Sequence, residues 1–127
     1  MTDYAAAGEW LEAFGRAWQT FDGDAWVGLF SEDAEYHEDP FAEPLVGHNA
    51  LRAYLLEGAE SEGDVDFTIE RHWVSGDTIL AAWHANYIAK PAGQRVRTAG
   101  FLTAEMASDG RANRLRGWTV QAPATAR

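Results

Sequence analysis

The chain has 127 residues, 10 Lys and Arg against 20 Asp and Glu, and no Cys, a length that supports one domain with one core. A formal charge of -10 repels phosphate backbones and anionic lipid, so nucleic acid and membrane surfaces are excluded as favoured partners. The lack of Cys excludes a disulfide scaffold, a thiol nucleophile and thiolate zinc or iron-sulfur sites.

Residues 1–10 show no basic segment leading into an apolar run, and no stretch of apolar residues is long enough to span a bilayer. Neither a signal peptide nor a transmembrane helix is expected, and a cytoplasmic location follows as the default. Tyr4, Ala7, Trp10, Leu11, Phe14, Ala17, Trp18 and Phe21 recur at three- and four-residue steps, which predicts an amphipathic helix ending at Asp22-Gly23. Asp24 is expected to cap a short second helix bearing Trp26, Val27, Leu29 and Phe30, ending by Ser31 to Asp33. Ala34 to Asp39 predicts a brief strand, closed by Pro40 and followed by a loop through Gly47. His48 or Asn49 begins a third helix with Leu51, Tyr54 and Leu55 on its buried side, ending near Gly58. Glu57 to Asp66 is acidic and contains glycine, which predicts a loop.

Beyond Asp66 the period changes from 3.6 to 2. Val65, Phe67, Ile69, Arg71 and Trp73 alternate with polar neighbours up to a hairpin turn at Ser75-Gly76-Asp77. The next strand, Thr78 to Lys90, carries Ile79, Ala81, Trp83, Ala85 and Tyr87 on one face. Turns at Pro91-Ala92-Gly93 and Ser108-Asp109-Gly110 separate it from strands at Arg95 to Met106 and Arg111 to Gln121. Helices followed by long antiparallel strands give an α+β class with helices on one sheet face. Apolar residues on both faces of the middle strands predict that a second subunit covers the other. Residues 1–121 are expected to form one domain, with 122–127 a disordered tail.

Leu29 to Pro40, LFSEDAEYHEDP, followed by Gly47 and a helix, then Gly76-Asp77 and Asp109-Gly110, resembles the nuclear transport factor 2-like superfamily, in particular its SnoaL-like polyketide cyclase and ketosteroid isomerase branch. The resemblance runs from Trp10 to Gln121. It implies a cone of three N-terminal helices packed in a strongly curved, mostly antiparallel sheet, enclosing an apolar pocket, usually in a homodimer. The function it implies is far less specific, because this cone hosts isomerases, cyclases, epoxide hydrolases, dehydratases and binding modules. Glu38-Asp39-Pro40 matches the Glu-Asp-Pro of ketosteroid isomerases, whose Asp is the general base. One extra residue between Ala34 and the motif leaves open whether Asp39 or Glu38 points into the cone. Tyr36 matches a Tyr that helps to hold water in the epoxide-hydrolase branch. The isomerase oxyanion hole is not matched, its positions falling at Arg16 and near Gly100 or Leu102. The hydrolase set falls at Trp83, Ala85 and Gly117.

A carboxylate at the mouth of an aromatic pocket is poorly hydrated, which raises its pKa toward the working pH and suits a proton acceptor. Asp39 fits that role, and it fits equally an Asp that stabilises a turn before Pro. His37, two residues away, would share a face with Asp39 in an extended segment and assist it, or sit solvated on the rim. The His residues at 37, 48, 72 and 84 lack ligand spacing, so no metal is expected. Tyr36, Phe67, Trp73, Trp83 and Tyr87, with Phe41 beside the motif, either line a pocket for an apolar ligand or fill the core.

These residues predict an enzyme, working without a cofactor, that binds a small apolar carbonyl compound and moves a proton next to the carbonyl. Asp39 would be the acid/base, so turnover undiminished by Asp39→Asn would remove it from that role. Tyr36 would donate to the enolate oxygen, His37 would assist, and Trp83 and Tyr87 would be walls. A non-catalytic binding or dimerisation module on the same fold is the alternative. The charge is uneven: residues 1–77 hold 18 acidic and 3 basic side chains, and residues 78–127 hold 2 acidic and 7 basic. Arg95, Arg97, Arg114 and Arg116 are therefore expected in inter-subunit or helix-to-sheet ion pairs.

Overall fold

A computed structural model describes residues 2–122, ordered as α1 (Tyr4–Thr20), α2 (Gly23–Val27), β1 (Phe30–His37), β2 (Leu45–Val46), α3 (His48–Ser61), β3 (Glu62–Ser75), β4 (Thr78–Ala89), β5 (Gln94–Met106) and β6 (Ala112–Gln121). The six strands form one curved sheet in the order β2-β1-β6-β5-β4-β3. β1 and β6 run parallel, and every other neighbouring pair is antiparallel. The three helices pack in the concave face, as the α+β cone requires.

Asp3 starts α1 by accepting from Ala6 N at 2.7 Å, and Phe21 in the left-handed conformation ends it. Ala7, Trp10, Leu11, Phe14 and Ala17 form its buried stripe. Gly15 is required where the helix meets β3, since a Cβ there would lie 2.5 Å from the Phe67 ring. Asp22, rather than Asp24, caps α2 through Ala25 N, and this leaves Asp24 to pair with Arg52 at 2.8 Å. Trp26 on α2 is the centre of the interior, its ring in contact with Phe14, Phe30, Tyr36 and Tyr54. Burial of each such large side chain contributes about 1.5–3 kcal/mol.

Two local predictions change. β1 starts at Phe30, earlier than Ala34, because Phe30 is fully buried and pairs with Ala112 of the parallel neighbour. The acidic loop expected over Glu57 to Asp66 is absent: α3 runs to Ser61 and β3 begins at once. Lys90 holds this junction, its backbone N–H donating to Ser61 O and its ammonium to Ala59 O, both at 2.9 Å.

β3 has register shifts between Gly63 and Asp66, where Asp64 takes φ 49, and between Ile69 and Arg71. Each shift inverts the alternation. Phe67 and Ile69 therefore share the concave face with Ala85 and Trp83, while Arg71 and Trp73 join Ala82 and Leu80 on the convex face. That convex face exposes Trp73, Trp118 and Val120. The expected helix-to-sheet ion pairs do not form: Arg114 bridges Glu35 at 3.5 Å and Glu105 at 3.6 Å within the sheet. Among the described residues, Arg95, Arg97 and Arg116 make no ion pair. Of the expected tail, Ala122 donates to Arg97 O, and 123–127 lie outside the described residues. Among the described residues no helix is long and apolar enough to cross a membrane.

Candidate functional site

The helices do not fill the cone. A cavity of about 960 Å³ opens between α1, α3 and the concave sheet, within the size range of small-molecule sites. Its floor is apolar, built from Phe14, Trp26, Leu55, Trp83, Leu102 and Leu115. Its mouth is formed by the segment after β1, the last turn of α3 and the ends of β4 and β6.

Strand alternation places Ala34 and Tyr36 inward and Glu35 and His37 outward, and the chain carries Glu38 to the inward side. Tyr36 and Tyr54 stand with ring centroids 5.4 Å apart. The Tyr54 hydroxyl interacts with both the Tyr36 hydroxyl and the Glu38 carboxylate. Burial, reinforced by the charge of Glu38, raises the pKa of both phenols, so they stay protonated and serve as donors.

Glu62, the first residue of β3, accepts from Trp18 Nε1 at 3.0 Å. Burial raises its pKa, the Trp18 bond opposes the rise, and the nearby Glu38 charge adds to it. Tyr87 is also raised, by burial and then by Glu62. The cavity thus combines two carboxyl groups of unlike environment with two neutral phenols. That is an arrangement able to accept a proton at one point and donate at another.

A group whose protonation is favoured by folding contributes stability at low pH and loses it as pH rises through the folded-state pKa. Glu62→Gln keeps an acceptor for Trp18 and removes the cost of the buried charge. This variant is expected to melt above wild type at pH about 8, with the gap closing as pH falls below the ordinary glutamate value of 4.5. Thermal melts across pH measure it, and a gap independent of pH would contradict it.

Tyr36, Phe67, Trp83 and Tyr87 line the cavity. Asp39 lies at its mouth, exposed, with its carboxylate accepting from Phe41 N at 2.8 Å in a tight turn. His37 is directed to the outer side, where its Nε2 meets Glu35 Oε1 at 3.1 Å, because successive strand residues face opposite ways. Trp73, expected in the wall, is on the convex face beside Phe101, with Arg71 over its ring; the bulge at Glu70 puts it there. Phe41, also expected at the ligand, is 98% exposed on the loop and is not part of the cavity lining. Among the described residues no group of His, Asp or Glu is placed to hold a metal ion.

Sequence reasoning missed Glu62, Tyr54 as a donor, and Trp18. Tyr54 has a signal, since it shares the inward stripe of α3 with Leu51 and Leu55. Glu62 has none, because the irregular backbone at Asp64 breaks the alternation that would have placed it.

Residues 11–115 match the SnoaL-like domain. The chain belongs to the SnoaL-like domain family. No curated protein sequence matches it. Among solved structures it is similar to the epoxide hydrolase/cyclase-like enzyme SalBIII of pyran ring formation in salinomycin (19% identity, 94% of this chain and 95% of that one, TM-score 0.83). It is also similar to a protein described as an isomerase from Bacillus subtilis (23%, 94% and 90%, 0.82). A third similar structure is described as a SnoaL-like polyketide cyclase from Jannaschia sp. CCS1 (16%, 94% and 91%, 0.80). At these identities the shared property is the fold. Of the two positions singled out by the resemblance, Arg16 is on the outer face of α1 with Glu12, away from the cavity, and Leu102 is apolar floor. Tyr36 and Tyr54 of this SnoaL-like domain bring their hydroxyls to the same cavity from β1 and α3.

Proposed function

We propose that this SnoaL-like protein binds a small apolar carbonyl compound in its cone and moves a proton next to the carbonyl, giving isomerisation or aldol-type ring closure. The observation that carries the reading is the convergence of the Glu38 carboxylate and the protonated Tyr36 and Tyr54 on one apolar cavity. Glu38 takes the proton from carbon, and the electron pair of the broken C–H bond moves to the carbonyl oxygen. Tyr36, whose own O–H is free to turn to the ligand, donates to that oxygen where charge develops, and Tyr54 holds the Glu38 carboxylate in place. The enolate carbon then recovers the proton at a second position or attacks a second carbonyl. In the latter case the new alkoxide takes the proton that Glu38 removed from carbon. Trp83, Phe67 and Tyr87 stack on the apolar body. The base is thus Glu38 rather than Asp39, whose carboxylate is engaged by Phe41 N.

The test is exchange of α-protons for deuterium in apolar ketones, followed by NMR in heavy water. Saturable exchange that requires the protein is expected, and no exchange with any ketone that binds would contradict the reading. A second reading, ligand binding without turnover, is favoured by the apolar residues at the isomerase and hydrolase positions: Leu102, Trp83, Ala85 and Gly117.

The proposal extends to a homodimer formed through the convex face, where Trp73, Trp118 and Val120 are exposed. A patch of this kind marks an interaction surface. Sedimentation is expected to give a dimer for wild type and a monomer for Trp118→Asp. A wild-type monomer would contradict the pairing.

A further inference from the structure

The cavity's mouth is strongly one-signed. Glu38, Asp39, Glu57, Glu60 and Glu62 all line it, and among the described residues Lys90 is the one cationic lining residue, its ammonium already donated to Ala59 O. The last turn of α3 also ends there, with no basic residue of its own and with Lys90 meeting its Ala59 carbonyl. Three rings stand among these groups. The Trp18 indole bonds Glu62, Phe21 lies against the last turn of α3 at Gly58, close to the same carboxylate, and Tyr87 lines the rim within electrostatic reach of Glu62. Ring faces beside a carboxylate attract organic cations, and the rim field raises the local concentration of positive ligands. A carboxylate ligand would meet repulsion from both.

The opposite end differs. Trp26 and Trp83, each more than nine-tenths buried at the cavity floor, have indole N–H groups with no acceptor among the described residues. Buried donors without partners are costly, and an oxygen-bearing end of a ligand is the chemistry that would answer them.

We infer that the ligand of this cone is an apolar carbonyl compound carrying a basic nitrogen, held with its oxygen on the inner side, toward the indole donors of the floor and the Tyr36 phenol, and its ammonium among the rim carboxylates. This deepens the acid/base reading and rests on it for the carbonyl. It also removes a difficulty of that reading: an enolate forming near several carboxylates is disfavoured unless the substrate brings its own positive charge.

The test is calorimetric titration of the full chain with three probes sharing one aromatic body: naphthylmethylammonium, acetylnaphthalene and naphthoate. Naphthylmethylammonium is expected to bind about tenfold more tightly than acetylnaphthalene, with naphthoate weakest. In the Glu57→Gln/Glu60→Gln variant and at high salt this advantage is expected to shrink. Both side chains are exposed, so the variant keeps its fold. Equal affinities for ammonium and ketone, tighter binding of naphthoate, or an advantage unchanged in the variant would overturn the inference. Any of these with α-exchange intact leaves the acid/base reading standing. An ammonium preference without α-exchange in any ketone supports the inference and removes the acid/base reading alone. No binding of any probe overturns both.

Discussion

Glu38→Gln is expected to lower the rate of α-proton exchange by about a hundredfold to ten-thousandfold, the usual worth of a positioned general base. Gln preserves the shape and the hydrogen-bonding reach of the side chain, so the contact with Tyr54 persists in part while the proton acceptor is lost. Glu38 lies exposed at the cavity mouth, so no core packing changes and melting should match wild type. Asp39→Asn is expected to keep most of the rate, because the Asp39 carboxylate serves the turn at Phe41. Removing a donor to an oxyanion costs about a hundredfold or more where it acts alone; Tyr36→Phe should cost less, since Tyr54 stands beside it. NMR exchange rates for the three variants measure these effects. A Glu38→Gln rate equal to wild type, with Asp39→Asn inactive, would return the base to Asp39.

Gly100→Ala is expected to destabilise the fold by about 1–3 kcal/mol, the range for overpacking a filled site. Gly100 pairs with Trp83 across β4 and β5, and the Trp83 ring lies over it. A Cβ at Gly100 would come within 2.6 Å of Trp83 Cζ2 and would also strike the Trp118 carbonyl oxygen. The ring could move, but the carbonyl belongs to the β5–β6 ladder and cannot. The two adjustments act in different directions: relief on the ring side pushes Trp83 into the cavity and reduces its volume. Denaturant unfolding together with probe binding should therefore show loss of both stability and affinity. An unchanged unfolding midpoint would contradict this packing.

Sequence periodicity located α1 and the β4–β5 hairpin because each keeps one period over most of its length, and the Ser75-Gly76-Asp77 turn located the β3–β4 hairpin. It also placed Trp83 and Tyr87 on one face, since β4 runs without a register shift against β5. Trp73 escaped because the bulge at Glu70 reverses the faces of β3 midway, a change with no compositional mark. Glu62 escaped for a similar reason, compounded by an acidic, glycine-bearing neighbourhood that reads as a loop. The choice between Glu38 and Asp39 could not be made from spacing: β1 ends at His37, just before the alternation would have decided it. The parallel pairing of β1 with β6 joins distant parts of the chain and rests on no local pattern. Tyr54 was visible as a buried position, but a hydroxyl facing a cavity and one buried in a core have the same helical periodicity.

The most direct test of the central claim is a crystal structure of the protein with acetylnaphthalene bound. The ring system should lie in the cone against the Trp83 and Phe67 rings, with the ketone oxygen within hydrogen-bonding distance of Tyr36 or Tyr54 and the methyl carbon facing Glu38. A probe bound outside the cone, or inside it with the ketone turned away from both tyrosines and from Glu38, would contradict the account.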